Sequence, residues 1–310
     1  MSRIALLIKP SPRLEDDNYL RFAPLLAGKG HDVSLVSIDS LAMTAGSITG
    51  RGFTWDDSLS TGSPWPESEP MILGHDLIWI LSVGERPSFL DKFQLLYAVS
   101  EKTRVINSLD ALMHLNSKYY LPTSPEQFPQ PETHASRDAS ELRKVIEKAG
   151  GRWIVKPPAG SLGRDVFLVD TGDSNLRAIL QHMCGQENTN YTLIQRYIPE
   201  IESGEKRVLM AGGKVIDQYR RIADRDHRTN VNQGAKVEHC DLSHEEAEYC
   251  QQLALALLRR GVLFAGIDLA WPWLIEINVI NPGGIQTIDE ITARDNSSAV
   301  VDAVLAAVEF

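Results

Sequence analysis

The chain has 310 residues, of which 43% are hydrophobic and 23% are charged, and its formal net charge is −10. This composition supplies hydrophobic cores, argues against wholesale disorder and exceeds what one core usually supports, so two or three packed subdomains are expected. The negative charge makes nucleic acids and anionic membranes poor global partners, and no apolar run approaches the roughly 20 residues of a membrane helix.

The start of the chain has a short apolar stretch without a signal-like cleavage pattern, so it is predicted to form a first strand. The three cysteines, Cys184, Cys240 and Cys250, are odd in number and form no CxxC pair. Neither a disulfide framework nor a zinc site is indicated, which fits a reducing cytosol. We therefore expect a cytoplasmic protein with no nucleic-acid or membrane partner.

Apolar strands and helical stretches alternate through the first third of the chain. Strands are predicted over residues 4–8, 33–38, 77–81 and 104–107, and a helix over 20–27. Such alternation is typical of a parallel α/β sheet. The stretch 46–70 is rich in Gly, Ser, Thr and Pro and is predicted to be a long surface loop.

Four prolines between residues 121 and 136 mark a predicted domain transition. A polar helix over 138–149 is followed by strands over 152–156 and 166–169, which flank a glycine-containing loop, and by a helix over 175–182. In the last third, Ser243 and Glu246 form a capping box for a helix that ends near Gly261. Strands over 262–270 and 274–280 follow, and the motifs GxGxxG and GxxxxGK[ST] are absent.

The last two strands carry an acidic pattern. If they form a hairpin centred on Pro272, Asp268 lies opposite Glu276, and Asn278 shares the face of Glu276. Carboxylates in such apolar strands are costly to bury unless they are neutralised, and hard oxygen ligands suit Mg²⁺. A solvated strand face or an ion pair with a nearby arginine would also satisfy the pattern, so the hairpin alone leaves both open.

Two lysines precede this hairpin. Lys156 ends a predicted strand and leads into a loop with Gly160 and Gly163, which permit backbone amides to approach an anion closely. Lys118 lies upstream, before the prolines. Each feature alone fits a surface lysine or an ordinary turn.

The order of features carries more information. Five features follow one another as in ATP-grasp ligases: Lys118, the Lys156 loop, the segment 193–200, the basic run that begins at 203–209 and the acidic hairpin. In detail, segments 203–209, 261–268 and 276–279 resemble bacterial glutathione synthetase, and the resemblance is specific from about residue 107 to 288. It implies an ATP-dependent carboxylate–amine ligase that forms an amide through an acyl phosphate, with ATP as co-substrate and Mg²⁺ or Mn²⁺ as cofactor.

The resemblance also implies a mixed α/β (α+β) ATP-grasp fold. Its parts are an N-terminal parallel α/β domain at 1–115, a central lid domain at 116–193 and a C-terminal antiparallel-sheet domain at 194–310. The family's ATP-binding positions match Lys118, Lys156, Gly160, Ser161, Gly163, Gln195, Tyr197, Ile198 and Glu205. Its catalytic arginines match Arg207 and Arg228, its metal ligands match Asp268, Glu276 and Asn278, and its substrate-side residues match Arg221, Asn230, Asn281, Gly283 and Gly284.

Two departures concern the substrates. The family's Arg-Lys-Asp-Pro-Pro donor segment is replaced by residues 83–89, and Asn281 replaces a serine in the acceptor loop. Both departures touch substrate contacts and leave the ATP and metal positions intact, so the ligase expectation stands. The substrate pair stays open between γ-glutamylcysteine with glycine and a related amino-acid or peptide pair. Gly283 and Gly284 are predicted to present backbone amides to an acceptor carboxylate, with a strand-ending turn as the alternative.

Other functions stay open at this stage. The main alternative is a non-catalytic ATP-binding regulatory protein that keeps the ATP-grasp fold. A nucleic-acid patch over 206–228 is disfavoured because Asp217, Asp224 and Asp226 interleave its basic residues. The assembly state is open, a homo-oligomer included.

Overall fold

The computed structural model describes residues 1–116, 118–121, 128–158, 164–223 and 235–308. Three β-sheets of seven, four and five strands follow one another along the chain, with helices packed on them. The mixed α/β architecture predicted from the sequence is confirmed. Within the described part, no helix combines the length and the apolar character needed to cross a bilayer.

The first sheet has a parallel centre. Its strands are β1 (Arg3–Ile8), β2 (Asp32–Ser37), β3 (Ala42–Thr44), β4 (Ser47–Thr54), β5 (Glu69–Ile72), β6 (Leu77–Ile80) and β7 (Arg104–Ile106). The order is β3-β4-β2-β1-β6-β7, with β5 beside β4, and β1, β2, β6 and β7 run parallel. Helix α1 (Asn18–Gly28) connects β1 to β2, as predicted, α2 (Phe89–Ser100) connects β6 to β7, and α3 (Leu109–His114) follows β7.

The predicted surface loop over 46–70 is wrong for much of its length. It contains β4, which pairs in antiparallel fashion with β2, β3 and β5. Its glycines suggested a loop, but Gly52 permits a close strand approach, because a Cβ there would collide with the carbonyl oxygen of Leu35. Glycine in this strand marks close packing and not a turn.

The second sheet is small, antiparallel and has its own core. Its strands are β8 (Thr133–Ser136), β9 (Arg152–Lys156), β10 (Phe167–Asp170) and β11 (Thr192–Arg196), in the order β10-β9-β11-β8. Helices α4 (Ala139–Ala149) and α5 (Leu176–Cys184) cover it, and Asp138 caps α4. Leu142, Ile146, Trp153, Leu180 and Ile194 belong to a core separate from the other two sheets.

The third sheet is antiparallel and carries the acidic hairpin. Its strands are β12 (Glu205–Ala211), β13 (Lys214–Ile222), β14 (Lys236–His239), β15 (Phe264–Ala270) and β16 (Trp273–Asn278), in the order β14-β13-β12-β15-β16. Helices α6 (His244–Arg259), α7 (Ile285–Thr292) and α8 (Asn296–Ala307) complete it. The predicted capping box is confirmed, because Ser243 and Glu246 satisfy each other's backbone N–H groups.

One buried amide joins the first and third sheets. The side chain of Asn107, which is 1% exposed, donates to the carbonyl oxygens of Phe264 and Val279 and accepts from the N–H groups of Leu263 and Phe264. Satisfying a buried amide completely makes such a junction specific.

Aromatic packing strengthens the same junction. The ring of Phe22 stacks on Trp79 at a centroid distance of 4.7 Å, and both rings meet Phe264 edge-on. The first and third sheets are thus packed as one unit, and the second sheet adjoins them. The three-domain division stays a prediction, and its boundary between residues 193 and 194 lies within β11.

Candidate active site

The acidic hairpin has the predicted register. Strands β15 and β16 pair antiparallel, with Asp268 directly opposite Glu276 and Gly266 opposite Asn278. The Nδ2 atom of Asn278 lies 3.5 Å from Oδ2 of Asp268. Two carboxylates and one amide therefore lie on neighbouring positions of the hairpin, as the alternation of side chains requires.

Asp268 is neutralised by two arginines from the adjacent strands. Nε and Nη2 of Arg207 lie 2.7 and 3.2 Å from its two oxygens, and Arg221 donates to Oδ1. Arg221 also lies 2.5 Å from Glu205. All four side chains are buried, so the ion pairs replace the water that these charges have lost.

The carboxylates of Asp268 and Glu205 stabilise the charged form of Arg221. Burial disfavours the charged form of Arg221, but the carboxylates of Asp268 and Glu205 outweigh that effect and raise its pKa above the ordinary value. The arginine pairing that the sequence left open is present, on the same carboxylate that the resemblance assigns to a metal. Asp268 therefore has a coordinating role only if it can share its oxygens between these arginines and a cation.

The second carboxylate pairs with a lysine. Nζ of Lys118 lies 2.9 Å from Oε1 of Glu276, and both side chains are largely shielded from water. This pair joins the segment before the second sheet to the hairpin of the third. The structure therefore places Lys118 beside the acidic hairpin.

The other predicted lysine is buried beside them. Nζ of Lys156 donates to Oε1 of Gln195 at 2.8 Å, and Nε2 of Gln195 donates to Oγ1 of Thr133 at 3.0 Å. Burial lowers the pKa of Lys156 to about 8, although the negative charge of Glu276 works in the opposite direction. Within the described residues, this buried lysine has the neutral Gln195 as its hydrogen-bond partner, so its ammonium group is positioned to receive an anion.

A pocket lies between the second and third sheets at this point. It is lined by Lys118, Leu121, Gln130, Thr133, Lys156, Leu193, Gln195, Ile275, Glu276 and Ile277. Two buried donors of the site, Nε2 of Gln130 and Nε of Arg221, find no hydrogen-bond partner among the described residues. Unsatisfied buried donors are costly, so these atoms indicate a place for a ligand with acceptor atoms.

The end of β11 and the segment after it follow directly on Gln195, which lines this pocket. The N–H of Arg196 donates to the carbonyl oxygen of Glu132, and the N–H of Tyr197 donates to that of Arg152. The N–H of Ile198 makes no hydrogen bond to the described part of the chain, and its side chain is buried. Ile198 therefore has a backbone donor to offer.

The side chain of Tyr197 contacts Arg152 and Glu202. Arg152 lies over its ring at 4.0 Å, and its hydroxyl donates to Glu202 at 2.8 Å. Any contact of Tyr197 with a ligand in the pocket would have to come from its backbone.

The loop after β16 lies on the other side of Arg207. Nη1 of Arg207 lies 3.4 Å from the carbonyl oxygen of Gly283. Gly284 has φ +118°, and a Cβ there would lie 2.9 Å from the hydroxyl of Tyr219, whereas a Cβ on Gly283 would meet nothing within 4 Å. Gly284 is thus required by the backbone and by the packing, while Gly283 is exposed.

Five of the predicted site residues lie outside the described residues, so the structure places none of them: Gly160, Ser161, Gly163, Arg228 and Asn230. The others, apart from the side chain of Tyr197, lie around one region, which also contains residues that the sequence did not single out. Gln130, Thr133 and Tyr219 are examples, and they were missed because a single polar or aromatic residue in a strand or turn carries no motif.

The donor set suits a divalent cation with oxygen preference. Asp268, Glu276 and Asn278 supply two carboxylates and an amide, while no group of three or more His, Cys, Asp or Glu side chains in the described ranges could hold a metal. Mg²⁺ takes few protein carboxylates and completes its shell with water and phosphate oxygens, so this set fits. The four cations Lys118, Lys156, Arg207 and Arg221 outnumber the three carboxylates Glu205, Asp268 and Glu276, which suits a polyanion accompanied by its metal.

Known proteins resemble this chain in sequence and in fold. Residues 121–293 match the family described as "Prokaryotic glutathione synthetase, ATP-grasp domain". The glutathione synthetase of Synechococcus elongatus is 27% identical over 324 residues, covering 99% of this chain and 98% of its own. That of Nostoc sp. is 32% identical over 202 residues, covering 64% of this chain and 60% of its own.

A solved structure shows the same fold at low sequence identity. The ATP-grasp ligase PsnB, in complex with a precursor variant, Mg and ADP, matches with a TM-score of 0.62 and 17% identity. The match covers 99% of this chain and 98% of that one. The overall fold of this chain is therefore shared with that ligase.

Proposed function

Because the chain belongs to the prokaryotic glutathione synthetase family, we propose that its cluster of buried cations and carboxylates binds ATP with a divalent metal and activates a carboxylate for attack by an amine. The chain is an ATP-dependent carboxylate–amine ligase that forms ADP, and it acts on small molecules or peptides. The observation that carries the proposed site is the convergence of Lys118, Lys156 and Arg207 on Asp268 and Glu276 from separate segments.

The nucleotide is proposed to lie in the pocket between the second and third sheets. The free N–H of Ile198 would donate to the adenine ring, with the Gln195–Ile198 backbone along its edge. Lys118 and Lys156 would meet the phosphates, and the loop containing Gly160, Ser161 and Gly163 would cover them. Glu205 would hold the ribose hydroxyls, which requires that it share its oxygens with Arg221.

Asp268, Glu276 and Asn278 are proposed to hold Mg²⁺ or Mn²⁺, because their oxygen donors suit a hard divalent cation. These three residues would hold the metal beside the phosphates, where it would supply positive charge against the negative phosphate oxygens. The protein's part is to keep the ligand oxygens on neighbouring strands, in a fixed register. Arg207 and Arg221 supply the compensating positive charge when Asp268 is shared.

The proposed reaction has two steps. A carboxylate oxygen of the donor attacks the γ-phosphorus of ATP, the bond from that phosphorus to the β,γ-bridging oxygen breaks, and ADP leaves. The amine nitrogen of the acceptor then attacks the carbonyl carbon of the acyl phosphate, the carbon–oxygen bond to phosphate breaks, and the amine loses a proton. Amide and inorganic phosphate are the products.

Charge neutralisation is the main contribution of the side chains. Two like charges about 4 Å apart oppose each other by roughly 4 kcal/mol at an effective dielectric constant near 20. Arg207 and Arg228 are proposed to reduce this barrier where the carboxylate meets the γ-phosphate. Fixed cations in a site of low water content act without reorganising during the reaction.

The first substrate pair to test is γ-glutamylcysteine with glycine, because the relatives are glutathione synthetases. The donor segment differs from the family pattern, and the structure shows Glu85 in it paired with Lys9 at 2.7 Å. The acceptor is proposed to be an amino acid or short peptide with a free carboxylate near Gly283 and Gly284. Arg221 and Asn230 are proposed to line the same side of the site.

A binding-only role is not favoured, because the family relatives are ligases and the described cluster keeps both lysines and both carboxylates. We propose a cytoplasmic location, where ATP is available and the three buried free cysteines stay reduced. Whether the chain forms a homo-oligomer can be measured by analytical ultracentrifugation.

The direct test is an ADP-release assay with Mg-ATP, γ-glutamylcysteine and glycine, followed by mass spectrometry of the product. Omitting each component in turn should abolish release, and a screen of amino acids and dipeptides should rank alternative acceptors. ADP release that is independent of donor and acceptor would mean that the chain only hydrolyses ATP.

A further inference from the structure

The N-terminal end of α1 contacts the proposed acceptor loop directly. Nδ2 of Asn281 donates to Oδ1 of Asp17 at 2.6 Å, and Nδ2 of Asn18 donates to Oδ1 of Asn281 at 2.7 Å. Asn18 also donates to the carbonyl oxygen of Pro282 at 3.0 Å. These three bonds form a bridge, called here the Asp17–Asn18–Asn281 bridge, between residues 263 or more positions apart.

The chemistry of the bridge requires an amide at position 281. Asn281 donates with its nitrogen to a carboxylate and accepts with its oxygen from an amide. An aspartate there would place two carboxylates face to face, and a serine would be too short to keep both contacts without movement. Asn18 is 6% exposed, so its amide group depends on these partners for its hydrogen bonds.

Asp17 is itself held in place by the helix. Its Oδ1 also accepts from the N–H of Asn18, which makes Asp17 the N-cap of α1. The cap fixes the carboxylate at the end of a rigid element whose other side packs against the first sheet. The bridge therefore transmits the position of the N-terminal sheet to the loop 281–284.

The opposite side of the same loop is held by the third sheet. Arg207 approaches Gly283, the ring of Tyr219 packs under Gly284, and Pro282 packs against Gly266. The loop therefore has contacts on both sides, with α1 and with the third sheet, and it lies next to Arg207, which is hydrogen-bonded to Asp268. Small displacements of the loop would move its backbone amides relative to Arg207.

We propose that the Asp17–Asn18–Asn281 bridge positions the loop 281–284 and thereby sets the affinity for the acceptor amine. Asp17 and Asn18 are positioning residues, since they act through Asn281 and the loop. This inference rests on the proposed function, because it assigns the loop to the acceptor side.

The test uses a charge exchange across the bridge. In Asn281→Asp the carboxylates at positions 17 and 281 repel each other. In the double variant, Asp17→Asn with Asn281→Asp, the amide and the carboxylate have exchanged places. The helix cap is retained there, because Asn is also a good N-cap. Gln286→Ala is the matched control, since Arg21 of α1 donates to Gln286 of α7 at 3.0 Å in an exposed contact close to the bridge.

Initial rates are measured with γ-glutamylcysteine and Mg-ATP at saturation and with glycine varied. Asn281→Asp should raise the KM for glycine about tenfold or more, as expected when a hydrogen bond to a charged group is lost, and should leave the KM for ATP within about twofold. The double variant should recover most of the lost affinity, and Gln286→Ala should resemble the wild type. Equal changes in both KM values, or no recovery in the double variant, would overturn the proposal.

A second readout does not depend on the substrates. Hydrogen exchange of the peptide containing residues 281–286 should be faster in Asn281→Asp than in the wild type and slow again in the double variant. Equal protection in all three proteins would exclude the bridge as a positioning device. If the wild type fails to ligate glycine but the exchange pattern holds, the substrate assignment fails and the bridge stands.

Discussion

Lys118 lies 2.9 Å from Glu276, although 158 positions separate the two residues in sequence. The pair links a lysine proposed to bind phosphate to a carboxylate proposed to bind metal. The two side chains form an ion pair inside a protected cleft. When Mg-ATP binds, Lys118 would pair with a phosphate and Glu276 would hold the metal, in place of their contact with each other.

The proposed metal role of Glu276 makes a kinetic prediction. Glu276→Gln keeps the shape of the side chain and removes its charge, and we expect kcat to fall at least about a hundredfold, as for other single-group losses in transition-state stabilisation. Glu238→Gln on β14 is the control, since Glu238 pairs only loosely with Arg220 at 3.4 Å and is exposed. Turnover of Glu276→Gln near that of the wild type would contradict the metal role.

Lys156 predicts a pH dependence of ATP binding. Burial lowers its pKa to about 8, so without nucleotide the side chain is charged below that pH and neutral above it. ATP favours the charged form and raises the pKa, so its affinity should fall as the pH rises through about 8. Calorimetric titrations should show this step in the wild type and in the exposed-site control Lys148→Arg, but not in Lys156→Arg; a step that persists in Lys156→Arg would assign it to another group.

The same lysine affects stability with a defined sign. The folded chain holds this proton less tightly than the unfolded chain, whose lysine has the ordinary pKa of 10.5. The unfolded state therefore binds more protons between about pH 8 and 10.5, and this group makes the free energy of unfolding rise with pH across that window. Lys156→Met should flatten this rise in stability, measured by urea denaturation, and an unchanged slope would show that folding does not lower the pKa of Lys156.

Arg221 predicts a stability cost from an unpaired buried charge. Arg221→Ala leaves Asp268 and Glu205 without one of their partners, and we expect a loss of about 3–5 kcal/mol in the free energy of unfolding. The neighbouring Arg220 is more exposed and pairs with Glu238, so Arg220→Ala should cost about 1 kcal/mol or less. Equal costs by urea denaturation would show that the Asp268 group is more solvated than its burial indicates.

The two loop glycines predict opposite outcomes. Gly284→Ala places a Cβ against Tyr219 at a φ of +118°, so about 1–3 kcal/mol of stability should be lost through strain and collision. Gly283→Ala meets open space and should leave the melting temperature almost unchanged. If thermal unfolding shows the same shift for both variants, the loop has a different backbone conformation from the one described.

The sequence predicted the structure well where a local rule applied, such as the alternation of side chains along a strand or the capping of a helix. The register of Asp268 against Glu276 followed from alternation around Pro272, and the capping box at Ser243 followed from local hydrogen-bonding rules. The strand at Ser47–Thr54 was missed because its glycines serve close packing against Leu35, which is a tertiary property without a local signal.

Long-range partnerships were outside the reach of pattern analysis. Nothing in the neighbourhood of Asp17 or Asn18 indicates Asn281, and nothing near Asn107 indicates Phe264 and Val279. The pairing of Asp268 with both Arg207 and Arg221 was also open, because strand order decides which arginines reach a carboxylate. Such contacts depend on the fold as a whole, whereas hairpin register and helix caps are local.

The measurement closest to the central claim follows an oxygen atom from donor to phosphate. The donor γ-glutamylcysteine carries ¹⁸O in its reacting carboxylate and is incubated with glycine and Mg-ATP. An acyl phosphate route predicts ADP, an amide product and inorganic phosphate containing one ¹⁸O from the donor. Formation of AMP and pyrophosphate, or amide formation with unlabelled phosphate, would contradict the account.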